Sequence, residues 1–344
     1  MEINILLTCV GGELSPLLIQ NLKAYPKRKV KVIGIDSDEY ALGRHFCDVF
    51  FKAPRGNSSG FKSFIEQLII KEKINLIIPG SDEEAVTLSN YKDELENKET
   101  RIACVDAETI NYFSDKNETY KLLKKNNIPC AKWTIIKKSE QLVTQFNRVH
   151  EEYGNFVVKP AVSRGGRDVF IINDQIASSQ NIAEGKEIHL NYKDFIQEHI
   201  QKLKDKVPLV AMEMLFGPVH DIDMLGMSGV PLFIIPRKRI TSSNPNAGHI
   251  IVKNAELIDI GKKIITKFKL SWLYDCDIMF DKNNKPKVIE INPRMSGSTA
   301  VCIEAGIPLL HTLIDIHTNA TVENVAIPYG TGVIPYKALK KINN

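Results

Sequence analysis

The first hundred or so residues of this 344-residue chain alternate short apolar runs with amphipathic stretches, and few architectures accommodate that pattern. Ile3–Thr8, Val30–Asp36 and Leu76–Pro79 are apolar runs of strand length, and Arg101–Val105 reads as a fourth. Helical segments lie between them; Ser15–Ala24, for example, opens with Ser15 as N-cap and Pro16 at its first position. Strands that alternate with helices pair in parallel, because each crossover returns the chain to the same end of the sheet. A parallel sheet with helices on both faces is predicted here.

The remainder reads differently. A helix begins at Ser114-Asp115-Lys116 and ends at Asn126-Asn127-Ile128-Pro129. Strand Lys132–Ile136, helix Glu140–Tyr153, strand Phe156–Lys159, a glycine loop and strand Val169–Ile172 follow, which together make a small α+β unit. A charged, helical stretch, Glu187–Lys206, leads to strand Pro208–Leu215. Strands Asp221–Met227 and Pro231–Pro236, helix Glu256–Phe268 and a hairpin over 275–292 form a larger sheet. A helix Ala305–Ile316, interrupted near Pro308, and Gly332–Tyr336 close the chain. This length exceeds one ordinary domain, and the pattern divides it into 1–112, 113–188 and 189–344.

Composition narrows the class. With 43% hydrophobic and 25% charged residues the chain is of soluble globular type. The net charge of +4 is spread along the chain and not gathered into a block, which argues against nucleic acid. No run approaches the about 18–20 apolar residues of a membrane span. The six cysteines form no C-x-x-C pair, which disfavours zinc and a disulfide framework. The N-terminus enters a strand directly, without signal-peptide features, so a reduced cytoplasm is the default compartment.

Three segments carry chemistry. In Val288-Ile289-Glu290-Ile291-Asn292-Pro293-Arg294, strand alternation puts Glu290 and Asn292 on one face. If the preceding turn centres on Asn283-Asn284, Asp277 falls opposite Glu290, with Cβ atoms about 4.5–5.5 Å apart. Two carboxylates and an amide oxygen then suit a hard cation such as Mg²⁺, and Arg294 adds a phosphate-seeking charge. A polar edge hairpin with solvated charges is the alternative. The second segment is Lys159-Pro160 followed by Arg164-Gly165-Gly166-Arg167. It ends an apolar strand with an ammonium and has glycines whose N–H groups can turn toward phosphate; a tight hairpin with surface arginines is the other reading. The third, Met212-Glu213-Met214-Leu215-Phe216-Gly217, sets a glutamate in an apolar strand ahead of a turn able to hold a purine, or is simply a core strand with one outward acid.

In this order the three segments resemble the ATP-grasp superfamily, in its carbamoyl-phosphate-synthetase-like branch of stand-alone ligases, over nearly the whole chain. The resemblance implies a Rossmann-like pre-ATP-grasp domain (α/β) followed by a two-lobed ATP-grasp domain (α+β). It implies ATP and Mg²⁺, or Mn²⁺ in its place, as cofactors. Lys116 and Lys159 would meet the nucleotide phosphates, Arg164, Gly165, Gly166 and Arg167 would form a flap, and Glu213, Met214 and Leu215 would form the adenine hinge. Asp277, Glu290 and Asn292 would hold the metal, Arg294 would reach the terminal phosphate or the reacting acyl group, and Arg237 and Arg239 would line the reaction chamber. The acid that usually follows the hinge in Gly-x-Glu is displaced here, so Asp221 is the candidate for the ribose and His220 a hydrogen-bonded lining of the site. The implied reaction joins a small-molecule carboxylate to an amine through an acyl phosphate. A carboxyphosphate-using enzyme, or a nucleotide-binding protein without turnover, is the alternative, and a homodimer is the default assembly.

The turn Cys9-Val10-Gly11-Gly12-Glu13, with Asp36 at the end of the second strand, is a weak match to a dinucleotide fingerprint, because G-x-G-x-x-G is absent. Ser81…Glu84 has the spacing of a capping box.

Overall fold

The computed structural model describes residues 2–163, 168–178, 182–184 and 187–342. Five parallel strands form the first sheet: β1 (Ile3–Thr8), β2 (Val30–Asp36), β3 (Val49–Lys52), β4 (Leu76–Ile78) and β5 (Arg101–Ile102), in the order β3-β2-β1-β4-β5. The order reverses between β1 and β4, so their carboxyl ends flank the crevice where such sheets bind ligands. Gly80 closes that crevice tightly, since a Cβ there would lie 2.3 Å from the Thr8 carbonyl oxygen. Ser81 caps the helix Asp82–Asn90 by accepting from the Glu84 N–H, and Glu84 reaches back to the hydroxyls of Ser81 and Thr8. The expected capping box is present and also ties the helix to β1.

The second sheet is β6 (Trp133–Ile136), β7 (Phe156–Pro160), β8 (Val169–Ile172), β9 (Ile182–Glu184), β10 (Glu187–Leu190) and β11 (Leu209–Glu213), ordered β6-β11-β7-β8-β10-β9. Two sequence expectations change here. Glu187–Lys206 is not helical throughout: its first four residues form β10, held by β8 on one side and β9 on the other, before helical turns resume. Leu209–Glu213 pairs with β6 and β7, so this strand belongs to the second sheet and the chain crosses to the third after Glu213.

The third sheet is antiparallel: β12 (Phe216–Met227), β13 (Val230–Arg239), β14 (His249–Ile251), β15 (Trp272–Phe280), β16 (Pro286–Asn292) and β17 (Gly332–Val333), ordered β16-β15-β12-β13-β14-β17. One face packs on the helix Ala255–Lys267, whose Leu257, Ile260, Ile264 and Ile265 are buried on a single stripe. The other face carries charge. Among the described residues no single helix is long and apolar enough to cross a membrane.

Candidate active site

The hairpin β15–β16 has the register its sequence predicts. Asp281 accepts the backbone N–H groups of Asn283 and Lys285, Asn284 takes φ 57°, and Asp277 stands opposite Glu290. Asp275 stands opposite Asn292. Register extends the pattern across the sheet. Arg237, Asp221, Asp277 and Glu290 form one row over four strands, and Asp223, Asp275 and Asn292 form the next. Strand alternation puts all of them on one face.

Desolvated carboxylates in such a layer require cations. Arg239 binds Asp221 through Nε at 2.8 Å and reaches Asp277 at 2.9 Å. Buried His249 adds a contact to Asp221 at 2.9 Å. Burial by itself would raise Asp221, but the hydrogen bonds from Arg239 and His249 win and hold it far below the usual carboxylate range. Burial pushes Asp277 up to about 6 against the pull of Arg239, and burial with Asp221 and Asp277 raises Asp275 well above its ordinary value. Asp221, Asp275 and Asp277 bring oxygens within 4.8 Å of one another, a spacing a metal ion could occupy.

Lys116, buried at the start of helix Lys116–Lys125, lies 3.0 Å from Glu290 and donates to the Ser163 carbonyl at 2.7 Å. Lys159, on β7 and 5% exposed, has no hydrogen-bond or ion-pair partner among the described residues. Burial and then the charge of Lys116 lower it to about 8. Glu290 is held below its ordinary value because Lys116 and Lys159 outweigh the cost of its burial. Asn292 donates to Asp275 at 3.0 Å, which leaves its amide oxygen as the acceptor. Arg294 lies 3.1 Å from Asp82, the first residue of the helix after β4. Glu213 ends β11 and accepts the Lys132 N–H at 2.8 Å, so its carboxylate secures the approach to β6. Met214 and Leu215 are the two residues joining β11 to β12.

Several assignments change. Arg237 has no exposed surface: its Nε lies 2.8 Å from Asp223 and its Nη1 donates to Ser298 Oγ at 3.0 Å, so it supports the chamber from beneath and does not line it. Asp221 lies inside β12, 1% exposed and enclosed by Arg239 and His249, and has no open acceptor for a ribose. His220 sits on the opposite face from Asp221, its Nδ1 beside the Pro218 carbonyl, and so does not line this site. Asp36 accepts from the Gly11 N–H at 2.7 Å, so the acid of the weak dinucleotide match is engaged by its own turn. Arg164, Gly165, Gly166 and Arg167 lie outside the described residues. The sequence reading missed Asp223, Asp275 and His249; the i, i+2 spacing of Asp221/Asp223 and Asp275/Asp277 was the available signal.

Two family models match this chain. One, described as ATP-grasp in the biosynthetic pathway with Ter operon, matches residues 205–341; the other, described as PylC-like, N-terminal domain, matches residues 5–103. Residues 205–341 thus carry the ATP-grasp match, as the order of the three segments led one to expect. The carbamoyl phosphate synthase large chain of Clostridium acetobutylicum is 22% identical over 277 residues, 77% of this chain and 25% of its own. The chain thus spans about a quarter of the length of that relative. N5-carboxyaminoimidazole synthetase from Staphylococcus aureus, solved with ADP, has a similar fold at TM-score 0.69 and 20% identity, covering 94% of this chain and 80% of that one. L-amino acid ligase from Bacillus licheniformis superposes at TM-score 0.65 and 13% identity, covering 92% and 74%.

Proposed function

We propose that this ATP-grasp protein is an ATP-dependent carboxylate–amine ligase that forms an amide through an acyl phosphate, releasing ADP and phosphate. The observation that carries the reading is Lys159, a buried ammonium beside Lys116 that no carboxylate pairs among the described residues. Two such cations facing an oxygen-rich hairpin suit a polyphosphate. The similarity to ligases, one of them solved with ADP, supports the same nucleotide.

Asp277, Glu290 and Asn292 fit Mg²⁺ by donor chemistry, two carboxylates and an amide oxygen on paired strands. Bound there, Mg²⁺ would screen the phosphate oxygens. Lys116 and Lys159 hold the phosphates, and Arg239 and Arg294 stabilise charge on the transferring group. The substrate carboxylate attacks the γ-phosphorus, the bond to ADP breaks, and an acyl phosphate forms. The amine then attacks the acyl carbon, the C–O bond breaks, and phosphate leaves with the electron pair. A cavity of about 110 Å³, lined by Thr8, Cys9, Gly80, Asn246, Met295 and Gly297 among others, suits the acceptor amine.

The test is a matrix of carboxylates and amines in which ADP and AMP are both followed. Substrate-dependent ADP release is expected; AMP with pyrophosphate would overturn the acyl-phosphate route, and failure of every pair would favour a nucleotide-binding protein without turnover. Glu290→Ala is expected to abolish ADP formation, and normal turnover would remove the metal assignment. Bicarbonate belongs among the acids, because the likeness to a carbamoyl phosphate synthase chain supports carboxyphosphate as a second reading.

A further inference from the structure

A second concavity lies on the reverse face of the third sheet, and it does not depend on the ligase reading. Odd-numbered residues of β12, β13 and β15 face the charged layer, so His220, Lys238 and Phe280 face the other way. Ile222 and Ile234, on that same reverse face, lie against Gly261 of the helix Ala255–Lys267. At the end of this face is a groove of about 350 Å³ whose walls include Phe216, Pro218, His220, Lys238, Asn254 and Phe280. A loss of register opens it. Phe216 pairs with Phe280 and His220 with Ile278, so three residues on β12 stand against one on β15. Gly217, at φ 76°, takes the bend in the left-handed region.

The polar groups here converge. His220 is 9% exposed, and its Nδ1 lies 3.0 Å from the Pro218 carbonyl oxygen, which accepts from it; Nδ1 therefore carries the proton. Nε2 is left as an acceptor without a hydrogen-bond partner among the described residues. Burial, and then the nearby Lys238, keep the ring neutral by lowering its pKa. Lys238 is exposed and in register with His220. Asn254 caps the helix Ala255–Lys267 by accepting from the Leu257 N–H at 3.1 Å, which turns the positive end of that helix toward the groove. Acids at the rim already have partners. Asp281 accepts two backbone N–H groups and lies 3.4 Å from Lys287, and Glu256 pairs with Lys285 at 2.9 Å. Phe216 is 48% exposed, and Phe280 meets His220 edge-on with centroids 5.2 Å apart.

We propose that this groove binds a small aromatic or heterocyclic anion that also carries a hydroxyl or N–H donor. The anion meets Lys238 and the helix terminus, the ring packs on Phe216 and Phe280, and the donor reaches His220 Nε2. Phe216 and Gly217 directly follow Met214 and Leu215, so a ligand here restrains the segment that joins the two lobes.

The test is calorimetry of the full chain with 4-hydroxybenzoate and with orotate, alone and in saturating Mg-ATP. At least one probe is expected to bind saturably in both conditions. Lys238→Ala, a change at an exposed side chain, is expected to weaken that binding by about tenfold or more, and His220→Ala by about fivefold. If 4-hydroxybenzoate is the binder, benzoate should bind about fivefold more weakly, for want of the donor. Equal binding to the Lys238→Ala protein, displacement of the probe by Mg-ATP, or no saturable binding of either probe would overturn the proposal.

Discussion

Lys159 and Arg237 are both buried cations, and their partners make them opposites. Among the described residues no anion pairs Lys159, and its pKa falls to about 8, against about 10.4 for a free lysine. A bound phosphate chain reverses that preference. Nucleotide binding at about pH 8.5 should therefore take up a proton, and affinity should fall as pH rises through about 8. Calorimetry in buffers of different ionisation enthalpy measures the uptake, and Lys159→Met should lack it; affinity that rises over this range would contradict the assignment. The linkage to folding has its own sign. Between about pH 8 and 10.5 the unfolded chain holds a proton that folded, nucleotide-free protein has lost, so this lysine's contribution to stability improves as pH rises. Arg237, by contrast, is fixed by Asp223 and Asp275 with no exposed surface. Arg237→Met leaves the buried Asp223 without its cation, at a cost of about 3–5 kcal/mol. Urea denaturation should show that loss, and unchanged stability with reduced turnover would return Arg237 to the reaction chamber.

At the scale of elements, legibility followed periodicity. β1 and β2 were readable to the residue because each is a mainly apolar run, broken only by Asn4 or Lys31 near its start, and bounded by polar turns. The Asp277–Glu290 pair was readable because a short turn fixes register and alternation then fixes the face. β10 was not, since Glu-Ile-His-Leu has too little apolar content to mark a strand and forms one only between two neighbours. β11 was found as a strand but grouped with the 189–344 segment, whereas it pairs with β6 and β7. Its composition says that it is buried on both sides and nothing about which strands flank it. The charged layer shows the same limit. Asp221, Asp223, Asp275 and Asp277 each carry the period-two signal, yet only the strand order β15-β12-β13 makes them neighbours of Arg237 and Arg239. A sequence can state which face a charge takes; the sheet decides what it meets there.

For the molecule as a whole, the N-terminal sheet is joined to the hairpin at one charged contact close to the proposed chemistry. Arg294 stands two residues beyond Asn292, and its Nε lies 3.1 Å from Asp82 at the head of the helix after β4. Both side chains are mostly buried, at 19% and 15% exposure. Burial lowers the Arg294 pKa less than Asp82 and the hairpin acids raise it, so the guanidinium stays charged. Its position is thus set from the first sheet, while its charge faces Asp277 and Glu290 in the third. Asp82→Asn keeps the shape and removes the anchoring charge. A group aligned on the transferring phosphoryl loses rate steeply when displaced, so kcat should fall about 10- to 100-fold. ATP affinity should hold, because Lys116 and Lys159 are untouched. Steady-state kinetics beside a nucleotide-binding isotherm separate the outcomes. A parallel loss of affinity and rate would make Arg294 a ground-state phosphate ligand, and an unchanged kcat would reduce the contact to a structural tether between domains.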